Sequence, residues 1–172
     1  MKIAVTGSSK LAGAFVRRFG CDPIRVNHTS LDKSHYDVLI NNAHVGFEQT
    51  YILESWFAEW RYQDKLIINI SSRAGLSNLS KGYMYAAQKA ALDHMADNLV
   101  YNSDKICRIT TIGLGLLEDD LPSVSYYEVC DLVEYILSMP KHLEIPRVYL
   151  QHAQNYQSVQ QRKAYRYGHN EE

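Results

Sequence analysis

The sequence of 172 residues predicts one α/β domain: an open, doubly wound parallel sheet of about six strands with helices on both faces. Short apolar runs without polar alternation recur along the chain, as expected of strands buried on both faces. Segments with helical apolar spacing lie between them. The first run, residues 2–6, ends directly in Gly7-Ser8-Ser9, which is how a buried strand hands over to a turn and a helix.

Taken in order, residues 2–6 give the first strand. A helix follows because Leu11, Ala12, Phe15, Val16 and Phe19 recur at helical spacing, Ser8 or Ser9 can cap it, and Gly20 stops it. Residues 24–27 are expected as a second strand and residues 37–43 as a third, before a helix over 50–62 that carries Trp56 and Trp60. Residues 65–71, KLIINIS, are a further buried strand. A long helix is predicted over 83–101, where Ala86, Ala87, Ala90, Leu92, Met95 and Leu99 are good formers with few breakers. A strand over 106–112, a helix over 126–137 and a strand over 147–150 complete a domain of residues 1–150. Residues 151–172, rich in Gln, Asn, Tyr and basic side chains without periodicity, read as a polar tail.

Composition narrows the partners. A formal net charge of -1 gives no global attraction to nucleic acid or to an anionic membrane, and no apolar stretch reaches spanning length. No membrane partner is expected, and no signal segment. Cys21, Cys107 and Cys130 lie far apart without CxxC spacing, which argues against a zinc knuckle or disulfide framework and fits a cytoplasmic protein. The histidines show no HxxxH spacing, so no metal is expected.

Two motifs carry chemistry. The segment Thr6-Gly7-Ser8-Ser9-Lys10-Leu11-Ala12-Gly13 places backbone N–H groups and a helix N-terminus where a pyrophosphate could sit. Gly7 suits the tight turn and Gly13 close packing of helix on sheet, but Lys10 or Leu11 takes the place of the middle glycine. An ordinary strand–turn–helix would read the same way. Tyr85 and Lys89, four apart on one helix face, bring an ammonium near a phenol and favour its phenolate form, although an exposed helix pair has the same spacing. What joins the motifs is Ser71-Ser72 at the end of KLIINIS, then Gly75, then Tyr85 thirteen residues after Ser72.

This order and spacing resembles the short-chain dehydrogenase/reductase family. Asn41-Asn42-Ala43-His44 resembles its NNAG segment, and Arg108 to Gly115 with Glu118 resembles the strand and PG turn after its catalytic helix. The resemblance covers residues 1–150 and implies a reduced Rossmann-type fold and an NAD(P)(H)-dependent oxidoreductase acting on a small-molecule carbonyl or alcohol. It makes Tyr85 the general acid/base, Ser72 the group that holds the substrate oxygen, and Lys89 the partner of the nicotinamide ribose and of Tyr85. It assigns cofactor binding to Gly7, Ser8, Ser9, Lys10, Leu11, Gly13, Asn27, Asp32, Asn42, Ala43, Tyr85, Lys89 and Gly115. Lys10, with no acid at Asn27-His28 to grip a ribose diol, favours NADP(H) over NAD(H), and a solvated surface lysine is the alternative. Asp32 resembles the family's adenine-contacting aspartate, with a capping or loop role as the alternative.

The sequence also departs from the family. Too few residues separate the second strand from Asn41 for the usual crossover, so one strand and one helix are expected to be missing. No asparagine occurs in the helix over 50–62, which leaves a proton relay through water alone. The turn at Gly113 to Asp119 lacks the proline and carries Asp119 where a threonine often binds the carboxamide. The substrate loop shrinks to residues 121–125, giving an open site. His44 faces the cofactor or substrate, or bonds to backbone at a strand end; no catalytic role is assigned to it. Specificity is expected in the loops after Ser72, after Gly115 and near Trp56. In the tail, Arg162, Lys163, Tyr165, Arg166 and Tyr167 could stack on single-stranded nucleic acid, but a solvated tail, or one packed on a sister subunit, is the favoured reading. A homo-oligomer, dimer or tetramer, is expected because Trp56, Trp60 and several tyrosines are left on a thin domain. The alternative function is a nucleotide-binding regulatory domain.

Overall fold

A computed structural model describes residues 1–27, 30–76 and 82–154. The strands are β1 (Ile3–Thr6), β2 (Asp22–Ile24), β3 (Val38–Asn41), β4 (Leu66–Ser72), β5 (Arg108–Leu114) and β6 (Arg147–Leu150). They form one parallel sheet in the order β2-β1-β3-β4-β5-β6. The helices are α1 (Lys10–Phe19), α2 (Glu48–Trp60), α3 (Tyr83–Asn102) and α4 (Tyr126–Ser138).

Strand residues alternate between two cores, as the period of two requires. Ile3, Val5, Val38, Ile40, Leu66, Ile68 and Ile112 face α1 and α4, meeting Phe15, Val129 and Val133. Ala4, Leu39, Ile67 and Ile109 face α2 and α3, meeting Leu53, Trp56, Trp60 and Leu92. The continuous apolar runs of the sequence are therefore strands covered on both sides.

Local signals set the ends of α1. Ser9 accepts from the Ala12 N–H as N-cap, and Gly20, at φ 64°, closes the helix in the left-handed conformation with its N–H on the Val16 carbonyl. β2 lies earlier than the expected 24–27, because Asp22, Pro23 and Ile24 are the residues that pair with Ala4, Val5 and Thr6. Pro23 is tolerated since β2 is an edge strand. α2 likewise starts two residues before the expected position, and Phe47 at its N-cap makes no side-chain cap hydrogen bond that would mark the start.

The expected loss of a strand and a helix is visible between β2 and β3, where among the described residues only a 3-10 turn, Lys33–His35, replaces them. That short segment has a packing role. Trp56 and Trp60 are fully buried, which corrects the expectation that the trimmed domain leaves them uncovered. They pack edge to face at 4.6 Å between ring centroids, with Tyr36 against Trp56 and the Trp60 indole N–H donating to the Lys33 carbonyl at 3.3 Å. The Lys33 and Lys65 ammonium groups lie over the two indoles at 5.9 and 5.5 Å. Trp56 itself therefore offers no exposed surface to a ligand. Exposed aromatic area remains on other residues, among them Tyr51, Tyr83, Tyr101 and Tyr127.

Cys21, Cys107 and Cys130 are buried free thiols. Among the described residues no helix is long and apolar enough to cross a membrane, and no cluster of His, Cys, Asp or Glu could hold a metal ion. His28 and the tail from residue 155, including Arg162, Lys163, Tyr165, Arg166 and Tyr167, lie outside the described residues.

Candidate active site

The sheet order reverses direction at β1, which has β2 on one side and β3 on the other, and the carboxyl ends of the strands open there into a crevice. A cleft of about 310 Å³ is lined by Ser9, Lys10 and Leu11 from the first turn, Asn42 and His44 after β3, Ser72 at the end of β4, Tyr85 and Lys89 of α3, and Gly115 after β5. The fold thus brings Ser72, Tyr85 and Lys89 together with the glycine loop. Gly7, Ser8, Gly13, Asn27, Asp32 and Ala43 are not among the lining residues.

Backbone shapes the loop wall. Gly7 has φ 84°, and a Cβ there would stand 2.7 Å from the Ala43 Cβ, so only glycine fits this close approach. The Thr6 hydroxyl accepts from the N–H groups of Asn42 and Ala43 at 2.8 and 3.0 Å, pinning the segment after β3 to the end of β1. Asn42 Nδ2 donates to Ser9 Oγ at 3.1 Å. Gly13 behaves differently from its expected role: a Cβ there would meet only the Arg17 guanidinium within 4 Å, while Leu11, Ala12, Ala14 and Phe15 pack inward. Asp32 caps the 3-10 turn, accepting from Ser34 N–H and Oγ, and these hydrogen bonds hold its carboxyl below the usual range. This is the alternative left open for it.

Buried side chains build the opposite wall. Lys89 Nζ donates to Gln49 Oε1 at 2.6 Å and to the Ile70 carbonyl at 3.0 Å. Gln49 Nε2 donates to the carbonyls of Asn41 and Ile70 at 2.8 and 3.0 Å. Asn41 Nδ2 donates to the Gln49 carbonyl and to Asn69 Oδ1, and Asn69 Nδ2 donates to Thr111 Oγ1. These five residues are all buried, so the seam joins β3, α2, β4, α3 and β5 through the interior. Burial pushes the Lys89 ammonium down to about 8, against the opposing charge of Asp93 one turn on. Asp93 itself pairs with Arg147 of β6 at 3.1 Å.

Gln49 is the residue that sequence reasoning missed. The expected helix over 50–62 holds no asparagine, but α2 begins at Glu48, and the glutamine sits in its first turn. A glutamine carbonyl therefore holds Lys89 directly in this chain. His44 was also assigned to backbone or ligand without a residue partner. Its ring meets Tyr85 edge on, with centroids 4.8 Å apart.

Ser72 Oγ accepts from the Ala74 N–H at 3.1 Å as cap of the 3-10 turn Arg73–Gly75 while lining the cleft. Lys89 Nζ lies 5.7 Å from the Tyr85 ring centroid. The shortened loop after β5 is a compact turn. Asp119 Oδ1 accepts from Leu121 N–H, and Glu118 Oε1 accepts from the first α4 amide, Tyr126, at 2.6 Å. Gly115 lies so near β6 that a Cβ would stand 2.9 Å from the Gln151 Cβ.

No protein-family profile matches the chain, and no curated protein matches it by sequence. Solved structures do match. Serine dehydrogenase from Escherichia coli is 19% identical, with 91% of this chain and 100% of that chain covered and a TM-score of 0.70. An alcohol dehydrogenase from Thermococcus sibiricus, complexed with 5-hydroxy-NADP, is 14% identical over 91% and 98% at 0.71. A short-chain dehydrogenase/reductase from Brucella melitensis is 12% identical over 87% and 94% at 0.68. The chain has their fold, a Rossmann-like sheet in shortened form.

Proposed function

We propose that the chain is an NAD(P)(H)-dependent oxidoreductase of the short-chain dehydrogenase/reductase type, transferring hydride between a nicotinamide and a small-molecule carbonyl or alcohol. The observation that carries this reading is the convergence of Ser72, Tyr85 and Lys89 on one cleft with the Gly7 loop. The donor set suits the cofactor: the amides opening α1, the Ser9 hydroxyl and the Lys10 ammonium present positive potential to phosphate. Asn42 and Gly115 line the adjoining wall, Ala43 backs Gly7 behind it, and Lys89 is read as the partner of the nicotinamide ribose. The cofactor would supply or accept the hydride.

Tyr85 gives a proton to the substrate oxygen, or takes one from it, and Ser72 orients that oxygen. Lys89 keeps positive charge beside the phenol, where negative charge develops as the proton leaves. Lys10 supports NADP(H) over NAD(H) on charge grounds; among similar solved structures one is complexed with 5-hydroxy-NADP and another with NADH. One observation favours a regulatory nucleotide-binding domain as the second reading: Gln49 and the Ile70 carbonyl already engage two of the Lys89 hydrogens, and Ser72 already caps a turn.

The test follows nicotinamide absorbance against aldehydes, ketones and sugar nucleotides, with dinucleotide binding read by thermal shift. Tyr85→Phe should bind dinucleotide as the parent does and lose at least about 100-fold in turnover. Binding without turnover by the parent supports the regulatory reading, and full activity of Tyr85→Phe overturns the mechanism.

A further inference from the structure

We propose that His44 is the proton-exchange partner of Tyr85, the side chain through which the phenol recovers or discharges its proton between turnovers. The proposal rests on the oxidoreductase reading and deepens it. Among the described residues, Lys89 and His44 are cationic or potentially cationic groups that adjoin Tyr85, and they differ in their exposure. Lys89 is buried at the cleft wall and donates to Gln49 Oε1 and the Ile70 carbonyl, so it supplies fixed positive charge with two of its three hydrogens already engaged. His44 is exposed, lines the same cleft and lays its ring against Tyr85 at 4.8 Å between centroids, with 73° between the planes.

The surroundings suit an imidazole that cycles its proton. Partial burial, then the charge of Lys89, hold His44 below its ordinary value, while the side chains of Gln88 and Gln49 within hydrogen-bonding reach oppose them. The titratable groups around the ring are Tyr85 and Lys89 of α3, with Lys10 of α1 and Tyr126 of α4 lining the same cleft. From α2 it meets the uncharged Gln49.

In the reductive direction the substrate carbonyl carbon takes a hydride from the reduced nicotinamide dinucleotide, which is thereby oxidised, and the carbonyl oxygen takes the Tyr85 proton. The phenolate then takes a proton from His44 as the imidazolium, formed by uptake of a proton from water, and the ring returns to neutral imidazole. One hydride and one solvent proton are added to the carbonyl in total. In the oxidative direction every transfer reverses.

The experiment uses the full chain, the dinucleotide and whichever carbonyl or alcohol it turns over. His44→Ala should bind dinucleotide as the parent does and lose about tenfold or more in kcat near neutral pH. Added imidazole should restore kcat in His44→Ala and leave Tyr85→Phe unrescued. His44→Gln, which keeps a polar side chain without a titrating group, should remain as slow as His44→Ala. Parent-like kcat in His44→Ala across pH, full activity in His44→Gln, or absence of imidazole rescue overturns the proposal alone. A parent that turns over no substrate overturns the oxidoreductase reading, and this proposal with it.

Discussion

The two walls of the cleft are made of different material. On the α1 side, Thr6, Gly7 and Ser9 shape the wall through backbone conformation and contacts near the strand end, and Gly7 at φ 84° is the demanding position. On the α3 side, Lys89, Gln49, Asn41, Asn69 and Thr111 form a buried seam whose bonds join residues 8 to 42 apart in sequence. A wall of the first kind fails when the backbone cannot adopt its conformation. A wall of the second kind fails when a buried polar group loses its partner, and it titrates.

The largest effect should come from the backbone wall. Gly7→Ala forces a side chain into the left-handed region and drives its Cβ to 2.7 Å from the Ala43 Cβ, which has no flexible end to yield. Conformational cost and overpacking together should destabilise the fold by about 4 kcal/mol, read by denaturant unfolding. Parent-like stability would mean that the turn relaxes, and the contrast between the walls would break.

The seam should show itself next, through pH. Lys89 is depressed from 10.5 to about 8 by burial, so between those values the folded chain has released a proton that the unfolded chain still holds. Stability therefore rises with pH across that window, by up to about 3 kcal/mol, and is flat in this respect below it. Comparing urea unfolding at the two ends of the window for the parent and Lys89→Met isolates this contribution. An identical pH dependence in both proteins would remove Lys89 as its source.

This division also explains what the sequence could disclose. β1, α1 and their turn were legible because Ser9, Gly7 and Gly20 act within a few residues of themselves. Ser72, Tyr85 and Lys89 were legible as a spacing, and the fold brings them to one cleft. The seam was not legible, since a lone Gln49 gains meaning only when β3, α2 and α3 converge on it. β2 was displaced because pairing with β1, rather than apolar content, decides its position. The burial of Trp56 and Trp60 was hidden for a related reason: their cover comes from residues 33–36, a segment with no strong pattern of its own.

Gln49→Ala sharpens the contrast from the other direction. It leaves Lys89 with the Ile70 carbonyl and deprives the Asn41 carbonyl of its side-chain donor. A loss of about 2 kcal/mol is expected, since the groups left behind are buried. Gln49→Glu should restore a partner to Lys89 and, by placing a carboxylate beside it, raise the ammonium's pKa and shrink the alkaline gain in stability. If Gln49→Ala unfolds at the same urea concentration as the parent, the seam is not a structural unit.

The smallest effect belongs to Lys10, the exposed first residue of α1 on the cleft wall. An exposed ammonium facing a 2'-phosphate gains about 1 kcal/mol or less, so discrimination of roughly fivefold for NADP(H) over NAD(H) is the expected scale. Lys10→Glu should reverse the order, because it sets a carboxylate against the phosphate and leaves the ribose diol an acceptor. It should not harm the fold, since a negative charge in the first turn of a helix agrees with the helix dipole. Raising the salt concentration should compress the difference in both proteins, as screening of an exposed pair requires. Titration of the two dinucleotides at low and high salt separates the outcomes. Equal affinities in the parent, or an order that Lys10→Glu leaves unchanged, would mean that the lysine faces only water and that the backbone wall binds phosphate without selecting it.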